Sequence, residues 1–139
     1  MPGEQVFKLY TDGGARGNPG PAALGIVLVD SSGTIIKQVK RALGVMTNNQ
    51  AEYNALIEGL KLAAMYWKGK IECISDSELL VRQLTGKYQV KNTELKALFS
   101  TVHQLEKAFH AVIYKHVNRS DAQVAIADKL VNEALDESS

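Results

Sequence analysis

Residues 5–43 read QVFKLYTDGGARGNPGPAALGIVLVDSSGTIIKQVKRAL, and this stretch decides the fold class. Residues 5–12 are apolar-rich with partial alternation and stop at Gly13-Gly14, the pattern of a strand running into a turn. The loop ARGNPGP follows, and residues 22–30 (AALGIVLVD) form a second strand. Ser31, Ser32 and Gly33 turn the chain into a third strand over residues 34–43, so an antiparallel hairpin is expected.

Downstream the period changes. Ala51, Leu56, Leu60, Ala63, Ala64 and Trp67 fall at helical spacing, predicting a helix from Asn49 to Trp67 with Asn48 or Asn49 as its N-cap. Trp67 is then a core anchor, while Tyr53 fits either the core or a groove. Residues 70–75 (KIECIS) form a short strand, and residues 77–85 a short helix capped by Ser77. A loop over residues 86–92 leads to a helix capped by Thr93 and reaching about Lys107. Residues 110–117 form a strand, 118–124 a polar turn, and a final helix runs from about Ala122 to Leu135, followed by a short acidic tail. The order βββαβααβα implies a mixed sheet flanked by helices, an α/β fold in which the helical crossovers supply parallel strands.

With 139 residues and 45% hydrophobic content, the chain fits one soluble domain spanning residues 1–139. No apolar run approaches the ~20 residues of a membrane span. The N-terminus lacks a signal-like apolar stretch, and Cys73 has no partner for a disulfide, so a cytoplasmic protein is expected. No segment marks an obligate protein partner or a membrane contact, and the chain is read as a monomer. The net charge of +1, from 16 basic and 15 acidic residues, is low for a nucleic-acid binder. For such a substrate the positive charge must be local or come from bound metal.

Asp12 stands at the end of the first strand and Asp76 at the end of KIECIS, where α/β sheets build ligand crevices. Glu52 lies early in a helix, and Asp128 within the last one. Carboxylates gathered closely raise one another's pKa and call for a cation. Oxygen ligands of this kind suit Mg²⁺ or Mn²⁺ over zinc, and two such ions ~3.5–4 Å apart serve phosphodiester cleavage. Taken singly, each acid fits a turn, a cap or a solvated face equally well.

The surrounding motifs break that tie. YTDGGARGNPGPAALGIVL, MTNNQAEYNALIEGLKLA, ISDSELLVRQL and IADKLVNEAL, in this order, resemble the type 1 ribonuclease H family over roughly residues 5–135. The resemblance implies a ribonuclease H-like fold with a five-stranded mixed sheet, three strands antiparallel and the others parallel. It also implies that Asp12, Glu52, Asp76 and Asp128 are the catalytic, metal-binding carboxylates, holding two Mg²⁺ or Mn²⁺ ions. Gly13 and Gly14 would let the backbone approach the RNA strand, with amides addressing 2′-hydroxyls. Asn18, Asn48 and Asn49 match contacts to the hybrid's minor groove, and Thr47 a phosphate contact on the DNA strand. His116 resembles a catalytic histidine that aids proton transfer or product release, and Arg119 matches a position able to approach a phosphate. Gly13-Gly14 and Asn18-Pro19-Gly20 are also ordinary turn sequences, and Asn48 and Asn49 ordinary caps.

Three departures from the family pattern stand out. The basic protrusion that grips the hybrid is reduced to GKYQVKNTELK, with Lys87, Lys91 and Lys96, which implies weaker, more salt-sensitive binding. HVNRSDAQVAIAD is longer than the usual H-V-x-R-x-x-N-x-x-A-D and lacks its asparagine, which Asp121 or Gln123 would have to replace. Glu78 stands where glutamine is common. The implied activity is endonucleolytic hydrolysis of the RNA strand of an RNA–DNA hybrid, leaving 3′-hydroxyl and 5′-phosphate ends. A non-catalytic hybrid-binding module and a related nuclease for double-stranded RNA or DNA junctions are the alternatives.

Overall fold

A computed structural model describes residues 5–139. Residues 1–4, part of the single domain expected from the sequence, lie outside the described residues. Five strands, β1 (Val6–Ala15), β2 (Gly20–Val29), β3 (Ile35–Met46), β4 (Lys70–Ser75) and β5 (Ala111–His116), form one sheet in the order β3-β2-β1-β4-β5. Pairing is antiparallel between β1 and β2 and between β2 and β3, and parallel between β1 and β4 and between β4 and β5. The helices are α1 (Asn48–Ala64), α2 (Glu78–Leu84), α3 (Thr93–Glu106) and α4 (Ala122–Ser138). The expected mixed sheet and element order are both present.

The strand period of two assigns alternate residues to opposite faces. Leu9, Leu24, Ile26 and Leu28 meet α1 and α3 in the larger core. Tyr10, Val27, Val29 and Ile74 meet Val124 and Ala127 of α4 on the other side. Central β1 is thus covered on both faces.

Several boundaries correct the sequence reading. Gly13 and Gly14 do not turn the chain; they continue β1, paired with Leu24 and Ala23. The local turn signal loses because α1 lies so close that a Cβ on Gly13 would sit 2.2 Å from the carbonyl oxygen of Ala51. Helix α1 is capped by Thr47, not Asn48 or Asn49: its side chain accepts from Gln50 N at 3.2 Å while the Gln50 side chain accepts from Thr47 N at 2.9 Å, a reciprocal capping box. The helix also ends at Ala64, before Trp67. Trp67 instead folds back and stacks on Phe7, ring centroids 4.4 Å apart, while its Nε1–H donates to the Lys70 carbonyl at 2.8 Å. The open choice for Tyr53 resolves to the core, where its hydroxyl donates to Gln83 Oε1 at 2.6 Å. Asn92, not Thr93, caps α3, and α4 continues through the expected acidic tail to Ser138.

Candidate active site

Strand β1 outlasts one neighbour. Its pairing with β4 ends at Tyr10–Ile74, whereas pairing with β2 continues to Ala15–Ala22. The edge left open is taken up by side chains of α1: Gly13 N–H donates to Glu52 Oε1 at 2.9 Å, and Ala15 N–H to Asn48 Oδ1 at 3.2 Å. Four helical residues advance ~6 Å and two strand residues ~6.6 Å, so an i,i+4 pair on α1 matches an i,i+2 pair on β1. The helix thereby replaces the missing strand and delivers Glu52 beside Asp12. Asp76 follows directly after the last residue of β4, where the pairing gives out.

One carboxylate oxygen each from Asp12, Glu52 and Asp76 lies within 4.8 Å of the other two. Asp128 reaches the group from α4, near enough for a hydrogen bond with the Asp12 carboxyl, and lines the same cleft of about 190 Å³. All four acids of the sequence reading therefore converge.

The cluster is electrostatically strained. Asp12 is 8% exposed; burial, then the charges of Asp76 and Asp128, push its pKa up to about 7. Glu52, 7% exposed, is raised well above the ordinary carboxylate range by burial and by Asp12, with the Gly13 N–H opposing. Among the described residues, the cation in ion-pair contact with these acids is Arg119, whose Nε lies 3.5 Å from Asp76 Oδ2 on a side chain 84% exposed. An exposed guanidinium offsets little of a buried repulsion. Three clustered oxygen donors whose charges oppose one another form a donor set that fits a hard divalent cation.

The other expected residues divide between two places. Gly13, Gly14, Asn48 and Arg119 line the acid cleft; Asn18, Thr47 and Asn49 line an adjoining one of about 160 Å³. Asn18 Oδ1 accepts from Asn48 N at 2.9 Å and ties the two together. Because Gly13 N–H is engaged by Glu52, it is not free to address a 2′-hydroxyl, which corrects that part of the reading. His116 lies exposed at the end of β5, paired in register with Ser75, and forms no part of the cleft wall. Asp121 caps α4, accepting from Gln123 and Val124 N–H groups, a sufficient reason for its presence. Glu78 turns to solvent and pairs with Arg82 at 2.8 Å. Arg16 and Asn132 also line the cleft and were missed. Asn132 was findable, standing four residues after Asp128 on one helix face; Arg16 carries no signal in its loop.

The family model described as "Reverse transcriptase-like" matches residues 10–134. Ribonuclease H of Hydrogenovibrio crunogenus is 32% identical over 147 residues, covering 96% of this chain and 97% of that protein. This chain belongs to the type 1 ribonuclease H family. Ribonuclease HI of Halobacterium salinarum is 42% identical over 128 residues, 92% of this chain but 63% of that protein, so the chain spans under two thirds of this relative's length. Among solved structures of the family, LC11-RNase H1 in complex with an RNA/DNA hybrid superposes with a TM-score of 0.89 at 39% identity, covering 95% of this chain and 98% of that one.

Proposed function

We propose that this chain is a metal-dependent endoribonuclease that hydrolyses the RNA strand of RNA–DNA hybrids, leaving 3′-hydroxyl and 5′-phosphate ends. The observation that carries the reading is the convergence of Asp12, Glu52, Asp76 and Asp128 on one cleft, with Asp12 and Glu52 held at raised pKa by burial and mutual repulsion. These four carboxylates would hold two Mg²⁺ or Mn²⁺ ions. Bound there, such ions supply an activated water and stabilise the departing 3′-oxygen.

The chain's own groups bind and orient the hybrid. The side-chain oxygens of Asn18 and Asn48 are engaged by backbone N–H groups, so each offers its NH₂ end outward. Such donors suit the acceptor atoms of a minor groove. Asn49, exposed beside them, extends that row. The Thr47 hydroxyl accepts from Gln50 N and keeps its own proton for a phosphate oxygen. Gly14, without a side chain, lets the sugar–phosphate backbone come close to the cleft. Arg119, exposed above Asp76, draws a phosphate toward the acids. His116, exposed at the end of β5, would serve proton transfer or product release. The protein acts as a cytoplasmic monomer; among the described residues no helix is long and apolar enough to cross a membrane.

A substrate panel tests the reading: labelled hybrid, duplex RNA and duplex DNA, each with Mg²⁺, with Mn²⁺ and with chelator. Cleavage of the hybrid's RNA strand alone, lost with chelator and in Asp76→Asn, is the expected result. Binding without metal-dependent product would favour the non-catalytic module, and cleavage of duplex RNA the alternative nuclease.

A further inference from the structure

Two glycines beside Asp12 share an unusual environment. Gly13 is its neighbour on β1, and Gly25 is its cross-strand partner on β2. The left-handed region that favours glycine holds Gly17, Gly33, Gly44 and Gly86, and neither of these two. Backbone conformation therefore does not require glycine at position 13 or 25; space does. A Cβ on Gly13 would lie 2.2 Å from the carbonyl oxygen of Ala51, and a Cβ on Gly25 would lie 2.1 Å from that of Ala127. Both obstacles are helix backbone, which cannot swing aside as a side-chain tip can. Gly14, on the same strand, meets nothing nearer than 3.5 Å.

The two contacts are counterparts on opposite faces of the sheet. In each, the carbonyl pressed against glycine belongs to an alanine that is fully buried and immediately precedes a cleft acid: Ala51 before Glu52, Ala127 before Asp128. The depth to which α1 and α4 seat on the sheet therefore sets how far Glu52 and Asp128 stand from Asp12. We propose that Gly25 is a positioning residue for metal binding, fixing the Asp128-to-Asp12 separation by admitting the Ala127 carbonyl, as Gly13 does for Glu52. The inference rests on the reading of Asp128 as a metal ligand. Gly25 is the position to test, because Gly13 itself lines the acid cleft and bonds Glu52, whereas Gly25 does neither.

Calorimetric titration of the metal-free protein with Mn²⁺ provides a readout apart from turnover. Gly25→Ala drives α4 outward and is expected to weaken Mn²⁺ binding by about tenfold or more, the range for outer-shell supports of a metal site. Val27→Ala, which loosens the same helix contact without wedging it, lowers Tm but leaves Mn²⁺ affinity at the wild-type value. Adding Asp128→Glu to Gly25→Ala lengthens the reach by one methylene and recovers part of the loss. If Gly25→Ala does not fold, Ala23→Val places a milder wedge one step along the same face, against Val131 and Ala134, and is expected to weaken binding less but in the same sense. Wild-type affinity in whichever wedge variant folds, with Asp128→Asn weakened, overturns this inference alone. Wild-type affinity in Asp128→Asn overturns the ligand reading and this inference with it.

Discussion

Glu106 and Glu52 are both carboxylates withdrawn from water, and the protein treats them in opposite ways. Glu106, at the end of α3, accepts from the Tyr114 hydroxyl at 2.5 Å and from His103 Nδ1 at 2.8 Å. Both its oxygens are satisfied by neutral or cationic donors, and the nearby cavity of about 610 Å³ holds no second acid. Glu52 receives one backbone N–H and otherwise faces Asp12 and Asp76. The first site is complete as folded; the second is complete only with a cation. Size does not separate them, since the acid cleft is the smaller at about 190 Å³. The difference lies in unpaired charge.

The contrast breaks most visibly in paired amide substitutions. Glu52→Gln keeps an oxygen for Gly13 and removes a charge, so hybrid cleavage is expected to fall on the order of 10³-fold while the fold persists, read by initial rates and circular dichroism. Wild-type cleavage in that variant would contradict the metal assignment. Next in size is a pH effect on the metal-free protein. Asp12 binds its proton more tightly folded than unfolded, so stability is lost as pH rises from its unfolded value of 3.8 to about 7. The loss reaches on the order of 4 kcal/mol and is complete above the folded pKa. Chemical denaturation at pH 4 and pH 8 in chelator measures it; Asp12→Asn should flatten the profile, and Mn²⁺ should restore stability at pH 8. Glu106→Gln is expected to cost about 1–3 kcal/mol of stability by weakening the Tyr114 and His103 bonds, with hybrid cleavage unchanged. A large activity loss there would erase the distinction between the two sites. Smallest is the effect of Lys87→Ala with Lys96→Ala, a few-fold loss of hybrid affinity at low salt that vanishes near 200 mM, as expected for ~2 phosphate contacts.

The sequence was most legible where short-range pattern and tertiary contact agree. KIECIS is strand β4 to the residue, and Ser77 caps α2 as expected. Motif resemblance located all four acids, including Asp128, which periodicity alone would leave on a solvated helix face. Legibility failed where a distant segment decides local form. Gly13-Gly14 carries a turn signature, yet α1, some forty positions downstream, needs that space for its own backbone. Trp67 keeps the helical period, but stacking on Phe7 pulls it off the axis. The segment after His116 adds a third case. The sequence offers Asp121 as a stand-in for the family's asparagine, and its position before Ala122 and acceptor chemistry also make it the cap of α4.

The bond between Gly13 N–H and Glu52 Oε1 gives the molecule a built-in spectroscopic gauge. A ligand drawing electron density from the Glu52 carboxylate polarises that acceptor, and the Gly13 amide resonance must shift in step. Two-dimensional amide spectra could thus follow ion occupancy in the unlabelled pocket, with Ala15, tied to Asn48 two residues along, as the internal reference.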